Sequence, residues 1–225
     1  MTNESKVRIA ELEKQTEEKR IKNTQYHAYS GNEHFHLEDT SLFSVLDFWR
    51  YQYSQLSGMA GEIAEFLVAQ ALGITKAENA DYWTAYDMSY RNKRIEVKAT
   101  QYVHPWNRHC VSNVRTFSIE PSNNSYWGNG HGKSRQNDVY VFCLDTNQDI
   151  EHDDPLDVGS WEFYVIPTFR IDRYASENGN PNQKTISLGA VRRLCIEPCG
   201  YLALKDAVDT AISESDQHHI NEGKQ

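Results

Sequence analysis

The sequence predicts an α/β fold in which a central mixed sheet of four to five strands is flanked by helices. Three observations carry this. Helical periodicity dominates the early and the final segments, β-type alternation and short apolar runs dominate the middle, and turn-forming residues separate the segments. A length of 225 residues suits one sizeable domain with appendages. The expected division is a charged helix or arm over 1–30, a folded domain over 39–212 with an insertion at 102–135, and a disordered tail over 213–225.

The elements follow in order. Residues 4–22, ESKVRIAELEKQTEEKRIK, are charge-rich with few apolar anchors, which predicts a solvated helix or frayed arm. The stretch DTSLFSVLDFWRYQYSQL, 39–56, predicts an aromatic-rich helix capped by Asp39 or Thr40. SGMAGEIAEFLVAQALGIT predicts a second helix that stops at Gly73. WTAYDMSY and RIEVKATQYV read as two paired strands, DVYVFCL as a third and WEFYVIPT as a fourth, with TFSIEP a weaker fifth candidate. Helical pattern returns at SLGAVRRLC and YLALKDAVDTAI.

Composition narrows the function classes. No apolar run is long enough to span a membrane, and the N-terminus has no signal-peptide core, so a soluble cytoplasmic protein without a membrane partner is expected. Cys110, Cys143, Cys195 and Cys199 lack paired spacing and are read as reduced thiols. His34 and His36 with Asp39 lack a second ligand pair, and the acidic run 149–157 reads as a solvated loop. The net charge of -9 conceals a basic middle, because residues 88–135 hold eight Lys and Arg against two Glu. An acidic body with a basic centre can hold nucleic acid locally. The aromatic and basic runs around Trp106, Tyr126 and Trp127 suit base stacking and phosphate contact, and equally a loop with a few packed aromatics.

The chemistry concentrates in YDMSYRNKRIEVKAT, 86–100. A two-residue turn at Arg91 and Asn92 sets Asp87 opposite Glu96, with Met88, Ile95 and Val97 on one face and Asp87, Glu96 and Lys98 on the other. A three-residue turn would instead set Asp87 opposite Val97. Carboxylates opposed across a hairpin repel, and a hard divalent cation such as Mg2+ relieves that while leaving positions for water and phosphate. The other reading of the hairpin is a surface cluster in which Lys98 neutralises both acids. On the preceding helix, Ile63, Ala64, Leu67, Val68, Ala71 and Leu72 form the apolar arc. Glu65 borders that arc and Glu62 lies further toward solvent, so Glu65 is the preferred third acid.

GEIAEFLVAQALG, AYDM and RIEVKAT together resemble the PD-(D/E)XK, or restriction-endonuclease-like, nucleases over residues 58–101, although Tyr86 stands where the family name has proline. The resemblance implies a restriction-endonuclease-like core for residues 39–212 and Mg2+-dependent cleavage of nucleic-acid phosphodiesters, with Mn2+ as a substitute cation. It assigns Glu65 to the helical acid, Asp87 to the hairpin acid, and Glu96 and Lys98 to the Glu-x-Lys pair. Asp87, Glu96, the carbonyl of Val97 and Glu65 would then hold metal, and Lys98 would position the nucleophile. The expected partner is DNA, contacted by Arg91, Lys93, Arg94, Gln101, Arg108, Lys133 and Arg135. A homodimer is compatible with such cleavage. The competing expectation is a non-catalytic nucleic-acid-binding or assembly module on the same fold.

Overall fold

The computed structural model describes residues 29–56, 58–75, 86–104, 111, 115–122, 133–151, 154, 156–195 and 197–222. The expected N-terminal arm up to residue 28, and Trp106, Arg108, Cys110, Tyr126 and Trp127, lie outside them. The chain divides into two compact units, Met1–Gln52 and Tyr53–Gln225.

In the first unit, β1 (His34–Leu37) pairs antiparallel with β2 (Thr40–Ser44), and α1 (Val45–Gln52) follows directly. This corrects the single helix expected over 39–56. Asp39 lies in the turn and Thr40 begins a strand. The helix starts where Ser44 and Asp47 form a reciprocal cap: the Asp47 N–H donates to Ser44 Oγ at 3.1 Å, and the Ser44 N–H donates to Asp47 Oδ2 at 2.9 Å.

The second unit is built on a four-stranded mixed sheet in the order β3 (Met88–Tyr90), β4 (Lys93–Gln101), β6 (Val139–Asp145), β7 (Trp161–Pro167). β4 and β6 run parallel, and the other two pairings are antiparallel. The weaker candidate TFSIEP does contain a strand, β5 (Thr116–Ser118). It joins β8 (Thr185–Ser187) in a separate two-stranded sheet, so the central sheet has four strands.

Helices cover both faces of the central sheet. Toward one face, α2 (Ala60–Leu72) buries Ala64, Leu67, Val68 and Leu72 against Ile95, Val97, Val139, Val141 and Cys143. α5 (Leu204–Glu222) adds Leu204, Val208, Ala211 and Ile212 to the same core. Toward the other face, Tyr140, Phe142, Leu144, Tyr164 and Ile166 meet Ile171 of α3 (Thr168–Glu177) and Val191 of α4 (Leu188–Leu194). β6 is buried through its apolar run because both of its faces are covered, which explains why VYVFCL does not alternate. α2 ends at Gly73, whose φ of 69° lets its N–H and that of Ile74 return to carbonyls of the last turn.

The disordered tail expected over 213–225 is corrected as far as Glu222, because α5 continues to that residue. Its apolar signal fades after Ile212, and ionic contacts hold its later turns. Glu214 meets Arg170 at 2.8 Å, and Asp216 meets Lys93 at 2.6 Å. Among the described residues, no helix is long and apolar enough to cross a membrane.

Candidate active site

The turn of the β3–β4 hairpin falls at Arg91 and Asn92, whose φ values of 50° and 62° give the left-handed backbone that a two-residue type I′ connection requires. The register Met88↔Ile95, Ser89↔Arg94, Tyr90↔Lys93 follows from it. Asp87 lies just before the ladder begins. Its N–H donates to the Ile95 carbonyl at 3.0 Å, and its Oδ2 accepts the Val97 N–H at 2.7 Å. A strand residue points its N–H and C=O toward the same edge, so the Val97 carbonyl faces the edge where Asp87 sits.

β4 presents Glu96 and Lys98 on the side opposite Ile95 and Val97, with Glu96 beside Tyr140 and Lys98 beside Phe142 of β6. Their side chains are 15% and 29% exposed and form an ion pair with each other. Burial pushes the Glu96 carboxyl up to about 7. The charge of Asp87 adds to this and that of Glu65 contributes less, while Lys98 opposes. Burial also raises Asp87, against the Val97 N–H and Lys98, which favour its ionised form. Burial works against the Lys98 ammonium, but Glu96, Asp87 and Glu65 outweigh it and hold the group above its ordinary range.

The site therefore contains two carboxyls that titrate as a pair, an ammonium that stays charged, and a third carboxylate within electrostatic range. Glu65 is half-buried on α2, next to the apolar arc, whereas Glu62 is exposed. A hard divalent cation fits this donor chemistry, because Mg2+ is commonly bound by one or two carboxylates with water and phosphate completing its shell. Among the described residues, no three His, Cys, Asp or Glu side chains converge as a ready-made cage. The fit therefore rests on Asp87 and Glu96, with the Val97 carbonyl and Glu65 as further oxygen donors.

The basic residues expected at a nucleic-acid surface are mostly engaged within the protein. Arg91 pairs with Asp209 at 2.8 Å, Lys93 with Asp216 at 2.6 Å and Arg94 with Asp138 at 3.0 Å. Arg135 has a side chain 2% exposed, bound to Asp172 at 2.7 Å and to the carbonyls of Ile119 and Gln183. Gln101 is buried and donates to the Val103 carbonyl. Lys133 is exposed and near enough to Glu120 to stabilise its charge. The linear run of positive charge is thus largely matched in space by carboxylates from distant segments.

Tyr140 is a neighbour of Glu96 that sequence reasoning missed, and Asp138, read as the start of the third strand, is the partner of Arg94. Burial raises the Tyr140 phenol, and the charge of Glu96 adds to the effect. Asp138 accepts both the backbone N–H and the Nε–H of Arg94. Their placement depends on β4 and β6 pairing in parallel, a pairing for which two apolar runs separated by a long insertion carry no local signal. No protein-family model, curated protein or solved structure matches the chain.

Proposed function

We propose that this chain is a Mg2+-dependent endonuclease with a restriction-endonuclease-like core, hydrolysing phosphodiester bonds of DNA. The observation that carries the reading is the meeting of Asp87 and Glu96 at the edge of β4, both partly desolvated, with Lys98 paired to Glu96 and within the field of Asp87, and Glu65 in range. A fold designed only for stability would not bring repelling carboxyls together in a region of low dielectric. Departures of this kind cluster at functional sites.

A divalent cation held by Asp87, Glu96, the Val97 carbonyl and Glu65 would supply Lewis acidity at the scissile phosphate and favour deprotonation of water. Lys98 supplies a fixed donor that orients the attacking water and offsets the negative charge growing on the phosphoryl oxygens. Glu96 holds its partners through an ionised carboxylate, so activity rises as pH increases through the range where this carboxyl titrates. In-line attack by water on phosphorus then expels the sugar oxygen, and the two new ends carry a phosphate and a hydroxyl.

The test is cleavage of plasmid, linear, single-stranded and branched DNA, with an RNA arm to check the substrate class. Cleavage is expected with Mg2+ or Mn2+ and none with EDTA. Lys98→Ala is expected to lower the rate by about 100-fold or more, the scale of removing one charge-stabilising donor. Undiminished cleavage by that variant, or no cleavage of any substrate by the wild type, overturns the proposal.

A further inference from the structure

A second cluster lies between α3 and the C-terminal half of α5, around a cavity of about 460 Å3. Two ion pairs form part of its wall, Arg94 with Asp138 and Arg135 with Asp172, and each pair is internally balanced. Arg173 also lines it. Among the described residues Arg173 has no carboxylate partner, and its guanidinium lies 5.8 Å from the centroid of Phe169. Neighbouring acids on α5 do not serve it, because Glu214 pairs with Arg170 and Asp216 with Lys93. The cavity therefore holds an excess positive charge.

Ser215 is a second and independent sign. It is 3% exposed, it lines the same cavity, and its hydroxyl makes no hydrogen bond among the described residues. Among the described residues the Ser215 hydroxyl is not one of the side-chain polar atoms sealed from solvent without a partner, so it is reached from the cavity and is available to donate to a ligand there. The lining also carries an aromatic pair, Phe169 of α3 and His218 of α5, stacked at 4.1 Å with an interplanar angle of 25°. α3 also begins at this cavity, through Thr168 and Phe169, with no side chain capping its N-terminus; the Thr168 N–H donates to the Asp138 carbonyl at 3.0 Å, so it is the helix dipole that adds to the preference for an anion.

We propose that this cavity binds a phosphate ester of about mononucleotide size. Arg173 provides the counter-charge, Ser215 a hydrogen-bond donor, and the Phe169–His218 stack a flat wall for the attached base. A guanidinium matches phosphate geometry with paired donors. The volume lies within the range of small-molecule sites and exceeds the needs of an inorganic anion alone. Tyr140 pairs with Glu96 in the β4–β6 register, and its phenol also feels the charges of Arg135 and Asp172, which line this cavity. The two sites are distinct, and phosphate binding here does not depend on the cleavage reading. The same chemistry can come from a free mononucleotide or from a phosphate within a nucleic-acid strand.

Calorimetric titration of the full chain separates these outcomes, with thymidine 5′-monophosphate, thymidine and a short oligodeoxynucleotide as probes. The monophosphate or the oligonucleotide is expected to bind the wild type, and thymidine is expected not to. Arg173→Gln, at an exposed position, and Ser215→Ala are each expected to weaken binding by about tenfold. Lys98→Ala is expected to leave it unchanged. Arg173-dependent binding of the oligonucleotide alone identifies a strand as the source, and binding of the monophosphate identifies a free nucleotide. The proposal is overturned if neither phosphate probe binds, if thymidine binds equally well, or if both cavity variants bind as the wild type does. It is equally overturned if binding is lost in Lys98→Ala and kept in Arg173→Gln, which assigns the ligand to the acidic site.

Discussion

Arg94 and Glu96 project from the same side of β4, two residues apart, yet their surroundings treat charge in opposite ways. Around Arg94, two donors converge on one oxygen of Asp138, and they hold that carboxyl below its ordinary range although burial works against it. Around Glu96, burial and the charge of Asp87 overcome the single ammonium of Lys98, and the carboxyl is pushed up to about 7. The first arrangement is complete within the chain. The second is short of positive charge, and that shortfall is what a bound cation would fill. The contrast separates an ion pair that holds the fold from a cluster whose chemistry points outward to a ligand.

The largest effect expected from this contrast comes from removing the shortfall. The folded-state pKa of Glu96 lies above its ordinary 4.5, so the folded chain holds a proton that the unfolded chain has released between about pH 4.5 and 7. Stability must therefore fall as pH rises through that window. Glu96→Gln is expected to reduce this fall to the smaller share that the raised Asp87 carboxyl contributes, and to stabilise the protein by roughly 1–3 kcal/mol at pH 8, while eliminating cleavage. Urea unfolding at a series of pH values measures the first effect. Mg2+ sharpens the result, because a ligand bound only by the folded state raises the melting temperature. The rise is expected in the wild type and absent in Asp87→Asn. A wild-type stability that climbs between pH 4.5 and 7, with the variant unchanged, rejects the electrostatic account of this cluster.

The next effect distinguishes two acids on one helix. Glu65 acts on Glu96 and Lys98 through its charge, and Glu62 is exposed. Glu65→Gln is expected to lower cleavage by about tenfold, the scale of one lost hydrogen bond to a charged group, and Glu62→Gln to leave it within twofold. Steady-state rates on one DNA substrate at saturating Mg2+ decide this. Equal losses from both variants would point to a general effect of acidic charge on α2.

The helix that carries these acids was legible because its apolar arc has the period of a one-sided helix, and the hairpin because a two-residue turn fixes which residues face each other. Those two local patterns also brought Glu65, Asp87, Glu96 and Lys98 together as candidates. The position of Asp87 was only partly legible. Its carboxylate reaches the Val97 N–H, and this depends on β3 beginning one residue later. Features set by partners far along the chain were not legible. The tail over 213–225 reads as disordered until Asp216 is seen to meet Lys93, as Asp209 of the preceding helical segment meets Arg91, across more than a hundred residues. The same pairs explain why a basic run in sequence is not an equally basic surface. α3 follows β7 without a break, and its charged residues hide an apolar stripe of only Ile171 and Ala175.

The smallest effect tests the completed half of the comparison. Asp138 has a folded-state pKa below its ordinary 3.8, so its contribution is present above that value and is lost as pH falls through the folded pKa. This is the opposite sign to Glu96, from a group immediately before the adjacent strand. Asp138→Asn retains an oxygen that can accept from Arg94 but removes the charge. It is expected to cost about 1 kcal/mol near neutrality, the pair being partly screened by solvent, and to cost progressively less under acid conditions. Urea unfolding at pH 7 and pH 3 measures both values. A loss of equal size at the two pH values would mean that shape and hydrogen bonding, with no contribution from charge, hold β4 to β6 at this end. The contrast with Glu96 would then lose its electrostatic basis.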